Sequence, residues 1–131
     1  MTTNIFSGND LIAQVYDLNQ ISETNFPTPN NTSFQFGYGK ILSDKQYNPH
    51  IHKRVKREIE TTSEFIYIIS GQMDIEILDE KHNTVQLLCI KSNMGFLQFF
   101  GGHKIKMKAG TNFFEIKQGP YIGKAFDKYE L

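Results

Sequence analysis

The feature that most limits how this chain can fold is a two-residue rhythm of apolar side chains through its second half. In QMDIEIL, Met73, Ile75 and Ile77 share one parity, while Asp74 and Glu76 take the other. In HKIKMK, Ile105 and Met107 alternate with Lys104, Lys106 and Lys108. Successive strand side chains point to opposite faces, so each stretch buries one face and wets the other as a β-strand. SFQFGYG repeats the pattern with Phe34, Phe36 and Tyr38, and EFIYIIS, TVQLLCI, GFLQFF and NFFEIK are further strand candidates. Turn-forming residues separate them at SGQ, DEKHN, KSNMG and KAGTN. Many short strands joined by turns predict an all-β, antiparallel fold of the sandwich or jelly-roll barrel kind, with its core at about residues 34–118 and one open mouth.

The first part of the chain reads differently. Leu11, Val15 and Leu18 recur at helical spacing behind the possible cap Asn9, which predicts a short N-terminal helix, with an edge strand as the alternative. ETNFPTPNNTS reads as an irregular connection, because proline fixes φ and removes a ladder donor. At 131 residues the chain is long enough for one core, so a single domain is expected. Its 14 basic and 14 acidic residues balance, giving no reason to expect a nucleic-acid or acidic-membrane partner. MTTNIFSGND lacks the start of a secretory signal, and no apolar run approaches the roughly 20 residues that span a bilayer, so a cytoplasmic location is expected. The single cysteine, Cys89, lies in the apolar run VQLLCI and is expected to be a buried thiol in a reducing compartment.

The chemistry-bearing residues concentrate in NPHIHKRVKREIETTSEFIYIISGQ and in the later histidine. On a strand, His50 and His52 project from the same face and can reach one ion; a solvated strand face is the competing reading. Glu64 shares parity with Ile66 and Ile68, so a core-facing strand turns its carboxyl inward, where it needs a partner, a proton or a cation. His103 shares parity with Ile105 and Met107 against three lysines, and so also points inward. In KRVKR, Arg54 and Lys56 keep the histidines' parity and could clamp a carboxylate or phosphate at the entrance, or belong to a solvated loop balanced by Glu58 and Glu60. Tyr121, just after Pro120, could offer its phenol to a ligand or pack the tail onto the sheet. Tyr67, Glu76 and Tyr121 are candidates for proton transfer.

With these residues in place, the chain resembles the cupin superfamily over roughly residues 34–118. The carriers are His50 and His52, EFIYIISG from Glu64 to Gly71, and MGFLQFFGGH ending at His103. Eleven residues separate His52 from Glu64, more than is usual in that family, and Gly101-Gly102 stand where a proline is common. The longer spacing makes Glu58 and Glu60 rivals of Glu64. The resemblance implies a jelly-roll barrel in which His50, His52, Glu64 and His103 hold a divalent transition metal (iron, manganese, nickel or zinc), with open positions for a small-molecule ligand. It further implies a small metal-dependent enzyme of oxygenase or isomerase type acting on a polar or anionic metabolite such as a sugar derivative or keto acid. The alternatives are a non-catalytic ligand-binding or sensor domain and a metal-free sugar-nucleotide isomerase or epimerase with a histidine base. Open sheet edges add the expectation of a homodimer.

Overall fold

A computed structural model describes all of residues 1–131. The chain folds into eight strands, β1 (Thr2–Ser7), β2 (Asp10–Asp17), β3 (Glu64–Ser70), β4 (Gln72–Leu78), β5 (Thr84–Lys91), β6 (Met94–Gln98), β7 (Gly102–Met107) and β8 (Asn112–Lys117), followed by one helical turn, α1 (Lys124–Asp127). A five-stranded sheet runs β1-β2-β6-β3-β8, and a three-stranded sheet runs β5-β4-β7. Every pairing is antiparallel. The two sheets share no backbone ladder, so they stack as a sandwich whose hydrogen bonding does not close into a barrel.

The alternation in the sequence produces the sandwich core. Met73, Ile75 and Ile77 of β4 are buried, and they pack against Ile12, Val15, Ile66, Ile68 and Phe96 of the larger sheet and Ile90 of β5. Burying a side chain of this size is worth roughly 1.5–3 kcal/mol, so this one layer supplies much of what holds the sheets together. On β7 the parity of Ile105 and Met107 also faces the core, but both remain half-buried because β7 ends its sheet. Gly71 makes the tight β3–β4 turn at φ 103°, and a Cβ there would sit 2.4 Å from the Thr111 hydroxyl, so only glycine suits the position.

The N-terminal helix expected from Leu11, Val15 and Leu18 is not formed; those residues belong to the β1–β2 hairpin and the turn after it. Five consecutive residues, Ile12–Tyr16, are buried because β2 is covered on both faces. A strand buried on both faces loses its alternation, and the helical spacing is a by-product of that loss.

SFQFGYG likewise forms no sheet strand. Its parity holds, since Phe34, Phe36 and Tyr38 are each half-buried, but its backbone pairs only once, between Asn25 and Tyr38. The stretch lies as a strap over the outer face of the larger sheet, with the Phe36 ring stacked 4.1 Å from Tyr16 and 5.0 Å from Phe65. Gly95, opposite Tyr16 and Tyr67 on β6, leaves room for this aromatic layer, since a Cβ would come within 2.9 Å of Phe65. Beneath the strap, Tyr16 donates to Gln14 Oε1 at 2.6 Å, and Gln14 Nε2 donates to Asn4 Oδ1 and to the Pro27 carbonyl.

Cys89 is exposed rather than buried. It sits opposite Asp74, on the wet face of β4, so the apolar run that surrounds it does not all point inward.

Candidate functional site

The entry to β3 is fixed by a buried serine. Ser63 Oγ donates to the Phe99 carbonyl at 3.2 Å and lies 2.7 Å from Ser33 Oγ, while Gln118 N donates to the Ser63 carbonyl. This clamp sets the position of the next residue, Glu64, at the end of the sandwich. There Glu64 stands opposite Gln98 on β6 and Lys117 on β8. His103, at the start of β7, lies opposite Ile77 and brings an imidazole to the same end from the other sheet.

Gln98 joins the two halves. Its Nε2 donates to the carbonyls of Phe100 at 3.0 Å and Gly102 at 2.9 Å, which uses both amide hydrogens and leaves Oε1 as the acceptor. His103 Nδ1 lies 2.7 Å from that oxygen and must therefore donate to it. In a neutral ring this places the lone pair on Nε2, the nitrogen with no protein partner. Desolvation by burial lowers the His103 pKa, with the Glu115 charge opposing and Lys128 assisting, so the neutral ring with its basic Nε2 is the favoured state.

The carboxyl group is tuned in the complementary direction. Burial pushes the Glu64 pKa up to about 7, the neighbouring Glu115 charge adds to the rise, and Lys117 and Lys128 oppose it. Near neutral pH, Glu64 therefore exists in both protonated and ionised forms. An acceptor nitrogen and a carboxyl able to give or take a proton at the same pH share one cleft, and neighbouring groups with divided titration are the usual basis of acid–base assignments.

The cleft has a volume of about 880 Å³ and is lined by Glu64, Gln98 and His103 together with the Gly101-Gly102 turn. Its outer wall is the C-terminal tail, which contributes Lys128, Tyr129 and Leu131. Two contacts hold that wall: Lys117 Nζ meets Asp127 Oδ2 at 3.2 Å, and His82 Nε2 lies 3.1 Å from the Tyr129 hydroxyl.

The structure brings Glu64 and His103 into this cleft and leaves the other sequence candidates outside it. His50 and His52 have rings 5.2 Å apart, but they sit on an exposed segment that forms no strand. The strand expected there is absent, and with it the shared inward face. Arg54 and Lys56 lie on the same exposed segment, as do Glu58 and Glu60, and Lys56 pairs only with Glu58 at 3.6 Å. Tyr67 is on the outer face of the larger sheet, stacked on Phe114 and donating to Asn93 Oδ1. Tyr121 is exposed, with Lys117 Nζ 5.3 Å from its ring centroid. Glu76 accepts from Thr84 Oγ1 at 2.6 Å on the wet face of β4.

No group of three or more His, Cys, Asp or Glu side chains stands close enough to hold one metal ion. The donor set His50, His52, Glu64 and His103 is thus not assembled in this arrangement. Gln98, Glu115 and Lys128 were not among the sequence candidates. A signal existed for Gln98: it shares parity with the core residue Phe96 and is itself buried, an inward polar group that requires partners. No helix is long and apolar enough to cross a membrane.

No protein-family profile, curated protein or solved structure matches the chain.

Proposed function

We propose that the domain binds a small polar metabolite in the cleft between the sheets and moves a proton on it, as a metal-independent isomerase or epimerase of a sugar derivative or keto acid. The observation that carries this reading is the fixed tautomer of His103. Gln98 holds Nδ1–H, so Nε2 is left as a base, and Glu64 supplies a proton-exchanging carboxyl to the same space. The two antiparallel sheets and the cleft at their end also support the cupin-like jelly-roll reading of the fold.

The step balances without a further reactant. Nε2 takes the proton from a carbon next to a carbonyl, and the C–H electron pair forms the carbon–carbon double bond of an enediol. The carbonyl oxygen receives the proton of Glu64. Nε2 returning its proton to the former carbonyl carbon, while Glu64 recovers a proton from the neighbouring hydroxyl, gives the isomer and restores both groups; the epimer forms when the enediol turns over in the cleft before Nε2 returns the proton and Glu64 recovers its own. Lys104 and Lys128 are the lysines of the cleft, in place of Arg54 and Lys56, and they share its lining with the carboxyl groups of Glu64, Asp79, Glu80, Asp127 and Glu130. The donors for a metal are not gathered, so no step is assigned to one.

The test is proton exchange. In D2O, substrates chosen by a thermal-shift panel of aldoses, ketoses and keto acids should gain deuterium at the carbon next to the carbonyl, by NMR. His103→Gln should abolish exchange while keeping the fold. Full exchange in that variant, or no binder in the panel, overturns the proposal. Elemental analysis of tag-free protein is the second arm: about one transition metal per chain, lost on His50→Ala or His52→Ala, would replace this reading with the metal-dependent one.

A further inference from the structure

The outer wall of the cleft is built differently from its floor. Glu64, Gln98 and His103 stand on β3, β6 and β7, where sheet ladders hold their backbones. The wall belongs to residues 124–131, of which only Asp127 is even half-buried. No residue of α1 is buried, and Phe126 and Tyr129 are 79% and 73% exposed. The backbone of this turn bonds to itself, Phe126 and Asp127 donating to the Gly123 carbonyl and Lys128 to that of Lys124. The tail is thus a small closed turn laid across the cleft, with no apolar side chain committed to the core.

Its two ties reach opposite sheets. Lys117 of β8 holds Asp127 at 3.2 Å, and His82, in the turn between β4 and β5, lies 3.1 Å from the Tyr129 hydroxyl. The tail therefore spans the mouth from the larger sheet to the smaller. One ion pair at a rim and one exposed hydrogen bond restrain a segment far less than packing does. At its root Gly123 has φ 109°, and a Cβ there would meet nothing within 4 Å, so the chain is uncrowded where it turns into the tail. Lys128, between the two ties, lines the cleft, and its charge acts on both Glu64 and His103.

We propose that residues 124–131 are a lid: the tail swings about Gly123, parts Asp127 from Lys117 and Tyr129 from His82 to admit a ligand, and recloses with Lys128 inside the cleft. The inference rests on the cleft being the ligand site of the preceding reading. Segments that open for ligands have few buried apolar contacts and give up only rim hydrogen bonds when they move, and the tail meets both conditions. Opening it leaves Met73, Ile75 and Ile77 covered, because none of the core belongs to the tail. The clasps define the closed state, since together they bring both sheets to the same eight residues.

Shielding of His103 tests this without a substrate. Diethyl pyrocarbonate acylates a bare imidazole nitrogen, and peptide mapping gives the rate at each histidine of the full chain. His103 should react more slowly than the exposed His52. Asp127→Ala with Tyr129→Phe removes both clasps and should speed His103 by about fivefold or more while His52 keeps its rate. In a Cys89→Ser background, Lys117→Cys with Asp127→Cys, joined by a short bismaleimide, should react at His103 more slowly after linking than before. Equal rates at His103 and His52 in the parent, or a His103 rate that neither unclasping nor linking changes, overturns the lid and leaves a fixed wall or none. These rates report access and not turnover, so the lid and the proton-exchange reading fail separately.

Discussion

Gln98 stands directly opposite Glu64 on neighbouring strands, and the same glutamine accepts the Nδ1 hydrogen of His103 from the other sheet. One neutral amide therefore ties the acidic and basic halves of the cleft together.

Glu64 has a raised pKa, so the folded state holds its proton more tightly than the unfolded chain does. Its stabilising share is complete below the unfolded value of 4.5 and is lost as pH rises to about 7. Glu64→Gln cannot ionise and should gain on the parent across that window. Half-exposure screens the effect, so a gain in melting temperature of roughly 4 °C at pH 8, and none at pH 4, is expected. A constant difference between the two proteins from pH 4 to 8 would contradict the placement of this carboxyl.

His103 runs the other way. Its pKa is lowered, so stability is lost as pH falls below the unfolded value of 6.5, where the unfolded chain takes a proton that the folded ring resists. Between these limits the two groups oppose each other, and the parent should show a flatter profile than either variant. His103→Gln should remove the acid-side loss when melting is followed from pH 7 to 5.

The imidazole tautomer is directly observable. Long-range proton–nitrogen NMR should show Nδ1 protonated and Nε2 bare at pH 7. Gln98→Met, which keeps the volume and removes the acceptor, should mix the two tautomers and orphan the carbonyls of Phe100 and Gly102, at a cost of about 1–3 kcal/mol in urea unfolding.

Core and segment should respond very differently to truncation. Ile75→Ala removes a side chain that is 2% exposed and should cost about 2–5 kcal/mol. Leu42→Ala, at a side chain 81% exposed, should fall within about 0.5 kcal/mol of the parent. Urea midpoints of the two variants check both expectations.

Much of this fold is written in parity. Met73, Ile75 and Ile77, and Ile66 and Ile68, face the core as alternation requires, and the same rule places Glu64 and His103 inward. Parity fails where both faces of a strand are covered, as at Ile12–Tyr16, because no wet face remains to mark the period. It also says nothing about pairing: Phe34 and Phe36 alternate correctly but lie across a sheet instead of inside one. The His50–His52 spacing constrains geometry only if the segment is a strand, and that depends on a neighbouring edge lying far away in the sequence. Gln98 was legible in principle as an inward polar residue, but its partners are loop carbonyls that no periodicity reveals.

The lopsided stacking of three strands on five also divides the molecule by tolerance to change. Substitutions under β2 and β4, where side chains are wholly enclosed, should be purged in a saturation screen for expression. The rims of β7 and β8 should accept a broad range of residues in the isolated chain. A sharp boundary between those two zones, running lengthwise down the sandwich, is the genetic imprint of its missing side.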